Sequence, residues 1–252
     1  MIVLKSRREL DKMRRSGRIA ALVLREVSRL IEPAITTGEL DAAAGKVIGQ
    51  LGAISGSRGY HGYPGFICVS VNDEVVHGIG GSRRLKEGDI VSLDVVVRYQ
   101  GYYGDNAATF PVGEISREKE RLIQVTKDSL SAGIDQARAG HRLYDISAAV
   151  QSRVERAGFS VVRDFVGHGI GTEMHEDPPV PNFGTAGEGL LLKEGMVIAI
   201  EPMVNQGSWE VEVLKDGWTA VTRDHLSSAH FEHTVAIGSG EPEIMTWLEK
   251  KQ

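Results

Sequence analysis

Two aspartates stand where aspartates are costly. The stretch GDIVSLDVVVRYQGYYGDNAATF, Gly88 to Phe110, opens with a β-branched, apolar run that reads as a buried strand, yet Asp94 sits in its middle and Asp105 in the segment that follows. RYQG between them is a hairpin connection. A hairpin symmetric about Tyr99-Gln100 places Asp94 directly opposite Asp105 on one face, with Cβ atoms about 5 Å apart. Like charges at that spacing repel, so each carboxylate gives up its charge or a cation sits between them.

Three further residues share such surroundings: Glu201 in MVIAIEPMV, Glu232 in SSAHFEHTVAI, and His168 among the glycines of VGHGIG. Taken singly, each has an ordinary reading. A strand Asp is often an edge or turn residue, and a lone His between glycines is more often a loop hydrogen-bonder than a ligand. Four carboxylates converging without cations are destabilising, and the strands that carry them hold no Lys or Arg at the same points. Hard oxygen donors with one imidazole suit two divalent first-row ions. Carboxylates bridge such ions at about 3.5–4 Å, and the pair activates water near neutral pH, so the expected chemistry is hydrolysis.

Competing chemistries lack their signatures. HEDPP and HFEH do not make HExxH, no GxxxxGK loop occurs, and GHGIG is not GxGxxG. No Gly-x-Ser-x-Gly elbow is present. Cys68, the single cysteine, excludes a disulfide scaffold and a thiolate zinc site, and in FICVS it reads as a small wall residue.

The elements that must position these residues are legible in outline. Ser6-Arg7-Arg8-Glu9 fits a capping box. Leu10, Met13, Gly17, Ala20, Leu24, Val27 and Ile31 then recur at steps of three and four, which predicts an amphipathic helix. Its outer basic residues, Arg7, Arg8, Lys12, Arg14 and Arg15, read most simply as a solvated face, with contact to an acidic partner such as RNA as the alternative. Further helices are predicted after Gly38, over about Lys119 to Arg138, and from Leu143 to Ala157. The chain also echoes itself. LKEGDIVSLD, ending at Asp94, returns as LKEGMVIAIE, ending at Glu201, 107 positions later, and His61-Gly62 and His168-Gly169 are separated by the same interval. Two matches at one offset predict two similar αβ halves about a pseudo-twofold axis, an interval far too long for a solenoid repeat.

At 252 residues the chain fits one large domain or two small ones. A net charge of −5 with 25% charged residues gives no global pointer to nucleic acid. One cysteine fits a reducing, cytoplasmic setting. The amino-terminal MIVLKSRREL is too short and too soon charged for a signal peptide, and no apolar run reaches transmembrane length, so no membrane association is expected.

With these residues in place the chain resembles the methionine aminopeptidases of the bacterial type I class. The resemblance runs from the first helix to about Gly238 and is carried by GYHGYP followed by CVSVNDEVVHGI, LDV with GDNAATF, GHGIG with MHEDP, IAIEPMV, and SSAHFEHTVAI. It implies an α+β, pseudo-twofold pita-bread fold, with a central curved antiparallel sheet flanked by helices. A single catalytic domain over 1–252 would comprise two related halves, about 1–112 and 113–240, and a short C-terminal tail. The implied activity is removal of the initiator methionine from new polypeptides with a small second residue. By the same resemblance Asp94 chelates one metal, His168 binds the other, Asp105 and Glu232 bridge, and Glu201 completes the second sphere and is a candidate proton carrier. The metals are two divalent ions, with Mn, Fe(II), Co and Zn all suited to the ligands.

His77 matches the family histidine that contacts the substrate amide, and His175 the one near the scissile carbonyl. The methionine pocket maps to Tyr60, Tyr63, Cys68 and Trp218, with Met174 where relatives carry an aromatic residue and Ser57 where some carry cysteine. Met174 leaves an apolar, flexible wall. Asn72 and Ser228 match backbone positions around a monovalent cation. The expected partner is a peptide or nascent-protein amino terminus acted on by a monomer, and the resemblance admits a transient ribosome contact. The spacing from His168 to Glu201 to Glu232 leaves no room for the helical insertion of type II enzymes.

Two other readings use the same residues. Xaa-Pro aminopeptidases and prolidases share the five ligands but generally carry a large extra amino-terminal domain, and GYHGYPGFICVS speaks for the methionine class. Some proteins of this fold are binding modules that have lost metal ligands, whereas all five are present here.

Overall fold

The computed structural model of the protein describes residues 2–248, so the end of the expected C-terminal tail, 249–252, lies outside the described residues. The first part of the chain forms α1 (Arg7–Ser28), α2 (Thr37–Gln50), β1 (Ile54–Ser55), a 3-10 turn (Tyr60–Gly62), β2 (Cys68–Val71), β3 (Glu74–Val76), β4 (Ile90–Tyr99) and β5 (Tyr102–Pro111). The rest forms α3 (Arg117–Gln136), α4 (Leu143–Glu155), β6 (Ser160–Val161), β7 (Gly167–Gly169), β8 (Glu176–Val180) and β9 (Val197–Ile200). Then follow β10 (Met203–Asn205), β11 (Val211–Val213), β12 (Ala220–Thr222), β13 (Ser228–His230), β14 (Glu232–Ala236) and β15 (Glu243–Ile244).

The four helices fall where the sequence places them, with small shifts at their ends. Glu9 Oε2 accepts from the Ser6 backbone N–H at 2.8 Å and from the Ser6 hydroxyl at 2.6 Å, so the first turn of α1 is capped as expected. α1 stops three residues before Ile31, which still packs against the core. α2 is capped by Thr36, whose hydroxyl accepts from the Glu39 N–H at 3.1 Å, and so starts one residue before Gly38. Gly38 lies inside the first turn because its N–H donates to Gly81 O at 2.8 Å, and a Cβ there would come within 2.9 Å of that oxygen.

The main sheet runs β1-β4-β5-β14-β9-β7-β8, with β2 also on β4 and β15 on β14, and all its pairings are antiparallel. This order mirrors itself about the β5–β14 junction, each half supplying two helices and then its strands. Strand alternation sends Val91, Leu93, Val95 and Val97 into a core with Leu24, Val27, Leu40 and Ile48 of α1 and α2. In the second half Ile198, Ile200 and Val235 pack with Leu130, Ile134, Leu143 and Ile146 of α3 and α4. The helices thus cover one face of the sheet and leave Asp94, Ala199 and their row-mates on the other. Two smaller three-stranded sheets, β13-β10-β6 and β11-β12-β3, complete the fold.

Two expectations about pairing need correction. The hairpin is centred on Gln100-Gly101, with φ of 50° and 87°, so Asp94 faces Ala107 and Asp105 faces Val96. Both φ values are positive, as a type I′ two-residue turn requires, and Gly101 supplies the second without strain. The register therefore differs by two residues from the expected one, and an even shift keeps both aspartates on the same face. The second correction concerns the echo. Gly88 and Gly195 turn alike, with φ of 87° and 88°, before β4 and β9, so the LKEG match is structural. The His-Gly match is not: His168 lies in β7 opposite Ala199, while the equivalent place opposite Ser92 is held by Ser70, and His61 sits in the 3-10 turn.

Candidate active site

Five neighbouring strands of the main sheet each deliver one of the predicted ligands. Asp94 lies on β4, Asp105 on β5, Glu232 on β14 and His168 on β7, while Glu201 directly follows β9. Register sorts them into two adjacent rows. Ala107 is paired with Asp94 on one side and Glu232 on the other, and one further step of the β14–β9 ladder puts Glu201 beside Glu232. The second row holds Asp105, Thr234, Ala199 and His168, with Asp105 tied to Thr234 by hydrogen bonds of 3.0 and 2.8 Å. Small side chains at Ala107 and Ala199 leave space between the acidic ones. Asn182 Nδ2 donates to Glu201 O at 3.0 Å and steadies the backbone where β9 ends.

Ligand atoms of Asp105, His168 and Glu232 lie within 4.8 Å of one another. His168 Nε2 is 3.8 Å from Asp105 Oδ2 and 3.5 Å from Glu201 Oε1. Burial pushes Asp94 up to about 6. Burial, then the neighbouring carboxylates, hold Asp105, Glu201 and Glu232 well above the usual range. His168 is pushed down to about 4 by burial and by His175. Oxygens Asp94 Oδ1, Asp105 Oδ1 and Glu232 Oε1 are buried without a hydrogen-bond partner among the described residues. Orphaned carboxylate oxygens converging beside an imidazole nitrogen fit hard divalent cations, which would compensate what no Lys or Arg compensates here.

Above this floor opens a cavity of about 190 Å³ whose lining includes all twelve predicted site residues. Its walls are built with care for polar atoms. The Tyr63 hydroxyl donates to Gly78 O at 2.7 Å, and its ring meets Trp218 edge-on at 5.1 Å. Cys68 pairs with Asp94 across β2–β4, and burial holds its thiol well above its ordinary value, so it is a protonated wall and not a nucleophile. Met174 is buried, and Gly56 gives it room: a Cβ at Gly56 would sit 3.2 Å from Met174 Cε. His77 has φ of 60°, packs edge-on against Phe165 at 5.4 Å, and is pushed down to about 4 by burial. His175 stands at the rim with its pKa lowered by burial, and its Nδ1 is 2.6 Å from the Tyr60 hydroxyl.

Other lining residues escaped the sequence reading. Val76, Val96, Phe165, Val166 and Met203 carry no mark beyond hydrophobicity. His230 is the more telling omission. It is 1% exposed, neither ring nitrogen has a partner among the described residues, and its Nε2 is 4.0 Å from Glu201 Oε2. Its position two residues before Glu232 was the available signal. The expected cation positions, Asn72 and Ser228, are adjacent: the Ser228 N–H donates to Asn72 O at 2.8 Å, and Lys119 Nζ donates to Asn72 Oδ1 at 3.0 Å.

Comparison with known proteins agrees with this geometry. Residues 11–239 match the model of metallopeptidase family M24. The chain is 52% identical over 246 residues to methionine aminopeptidase 1 of Bacillus subtilis, covering 98% of this chain and 99% of that one. The crystal structure of methionine aminopeptidase from Thermotoga maritima superposes with a TM-score of 0.96 at 46% identity, covering 98% and 99% of the two chains. A prolidase from Pyrococcus furiosus, at 20% identity and a TM-score of 0.79, shares the pita-bread fold; it is matched over 98% of this chain and 66% of its own. The chain belongs to metallopeptidase family M24, among the bacterial methionine aminopeptidases.

Proposed function

We infer that this protein hydrolyses the first peptide bond of peptides and nascent proteins that begin with methionine and carry a small second residue. The observation that supports this reading most directly is that one cavity of about 190 Å³ joins the acidic, histidine-bearing floor to the walls of Tyr60, Tyr63, Cys68, Met174 and Trp218. Asp94 would hold one divalent ion, His168 and Glu201 the other, and Asp105 and Glu232 both. When bound, such a pair supplies a Lewis acid for the carbonyl and an activated water near neutral pH. The pocket of Tyr60, Tyr63, Cys68, Met174 and Trp218 receives the methionine side chain and excludes water. His175 and His77, neutral at physiological pH, donate to the scissile carbonyl and the substrate amide, and Glu201 holds and passes the proton that the leaving amine needs. A monovalent cation near Asn72 and Ser228 would share the Asn72 carbonyl with the existing hydrogen bond.

The halves at about 1–112 and 113–240 act in this reading as one catalytic domain, because each supplies part of the floor. A monomer working in the cytoplasm, meeting chains near the ribosome, is the simplest setting. The reading is tested by parallel release assays on Met-Ala-Ser and on an Xaa-Pro peptide of equal length. Preferential release of methionine is expected; preferential cleavage before proline would move the protein to the prolidase activity. Changing His77 or His175 to Ala should lower kcat and keep the bound metal, and loss of a metal equivalent would make that histidine a ligand instead.

A further inference from the structure

Much of the cavity wall is a single loop. Between β1 and β2 it carries Ser57, Tyr60 and Tyr63 into the lining, and Cys68 follows as the first residue of β2. Its regular structure is one 3-10 turn, so the strand ladders do not fix it, and its buried peptide groups need partners of another kind. At Phe66 and Ile67, just before Cys68, each of the four backbone polar groups is met by a side chain. Both N–H groups donate to Asp41 Oδ1, at 2.6 and 3.0 Å. Phe66 O accepts from the Ser55 hydroxyl at 2.6 Å. Ile67 O lies 3.2 Å from the Tyr63 hydroxyl, which also reaches Gly78 O at 2.7 Å.

Asp41 stands on α2 and is not among the residues lining the cavity. Glycines let the helix come this close: a Cβ at Gly80 would lie 2.7 Å from Asp41 Cβ, and one at Gly65 would lie 3.2 Å from Asp41 Oδ1. One turn along the helix, a Cβ at Gly45 would lie 2.7 Å from the Phe66 ring, over which the Arg58 guanidinium sits at 4.0 Å. A carboxylate oxygen that accepts from two successive N–H groups makes charge-assisted bonds and fixes two peptide planes together. Ile67 in turn holds the Tyr63 hydroxyl, and its carbonyl carbon begins the peptide bond to Cys68.

We propose that Asp41 is a positioning residue for the methionine pocket: by holding the Phe66 and Ile67 N–H groups against α2, it fixes where Tyr63 and Cys68 stand. The proposal rests on the aminopeptidase reading for what the pocket receives, whereas the clasp itself does not. Because Asp41 touches neither the acidic floor nor the scissile bond, its loss weakens binding of the first side chain and spares the chemical step.

The first test is hydrogen exchange of the wild-type protein followed by NMR. The Phe66 and Ile67 amides should exchange as slowly as those of the neighbouring strand β2; exchange as fast as in an open loop would overturn the proposal without recourse to any variant. In the metal-loaded enzyme, Asp41→Ala should raise KM for Met-Ala-Ser about tenfold, keep kcat within about twofold, and narrow the preference for Met-Ala-Ser over Leu-Ala-Ser. Bound metal should not change. Asp41→Asn keeps an acceptor oxygen in place and should restore KM to within about threefold of wild type. A residue that only adds stability would lower the melting temperature and leave KM and the preference unmoved, and that result in either variant would overturn the proposal. If the wild-type protein releases no methionine, the aminopeptidase reading fails, and the exchange pattern still decides whether the clasp exists.

Discussion

At Asp105 the argument for a bound cation is one of charge. Its Oδ1 is buried and has no hydrogen-bond partner among the described residues, with Asp94 and Glu232 beside it, so only a shared cation lets all three ionise together. Asp105→Asn should therefore abolish turnover and weaken the binding of at least one metal by 10-fold or more, on the order of ~1.4 kcal/mol at the least; metal analysis of the purified variant checks this, and near-normal activity with two metals bound contradicts it. The same charges give a pH dependence whose sign can be worked out. Without metal, the raised values of Asp105, Glu201 and Glu232 mean that the folded chain keeps protons the unfolded chain has released. Stability from that source is full at low pH and is lost as pH rises through the raised values. His168, lowered from 6.5 to about 4, acts in the opposite sense, but only between those two values. Above pH about 6.5 the carboxylates act without that opposition. Metal-free protein should melt progressively earlier as pH rises through the raised carboxylate values, and divalent metal should remove the trend. A metal-free melting temperature that climbs over that range contradicts the account.

Among the elements, the loop that carries Met174 and His175 is held from the far end of the sequence. Glu176 Oε1 accepts from the Thr172 N–H at 2.8 Å, and its Oε2 takes the buried Lys5 ammonium at 2.6 Å. Removing one partner of a buried pair costs about 3–5 kcal/mol. Lys5→Met should thus lower the urea midpoint by the equivalent of about 3 kcal/mol and depress kcat through the displaced loop, while the further change Glu176→Gln should recover much of the stability. A midpoint unaltered by Lys5→Met would show that the pair does not hold the loop. This contact was invisible in the sequence, because nothing in MIVLK or MHEDP marks two residues 171 positions apart as partners. Helices were legible for the opposite reason: caps such as Ser6-Glu9 and Thr36-Glu39 are local and written in one turn. The four acids and the imidazole were legible because polar residues in β-branched or glycine-rich runs need a cause. Register was less so, since Gln100-Gly101 and Tyr99-Gln100 are alternative turn centres and only the φ values distinguish them. His230 was hidden because HFEH was judged against a helical zinc pattern and not against the strand that contains it.

Over the whole molecule, the mirrored strand order explains why the site exists at all. Asp94 and Asp105 come from one half, His168, Glu201 and Glu232 from the other, and the β5–β14 junction brings the two sets onto one face. Neither half holds a complete floor. The pocket adds selectivity, and the protein's own opening residues, Met-Ile-Val, provide a convenient probe of it. With a small second residue required, the peptide Met-Ile-Val should resist cleavage where Met-Ala-Val is cut, and equal release from both would leave only a general metal-dependent aminopeptidase. The central claim, that the five residues form a dinuclear centre for methionine release, is tested most directly by titrating metal-free protein with Mn, Fe(II), Co or Zn while following both bound metal and methionine released from Met-Ala-Ser. The account predicts no release without metal, onset as the site fills toward two ions, and no onset in Asp105→Asn. Full release by protein stripped of metal, or equal release by Asp105→Asn, would contradict it.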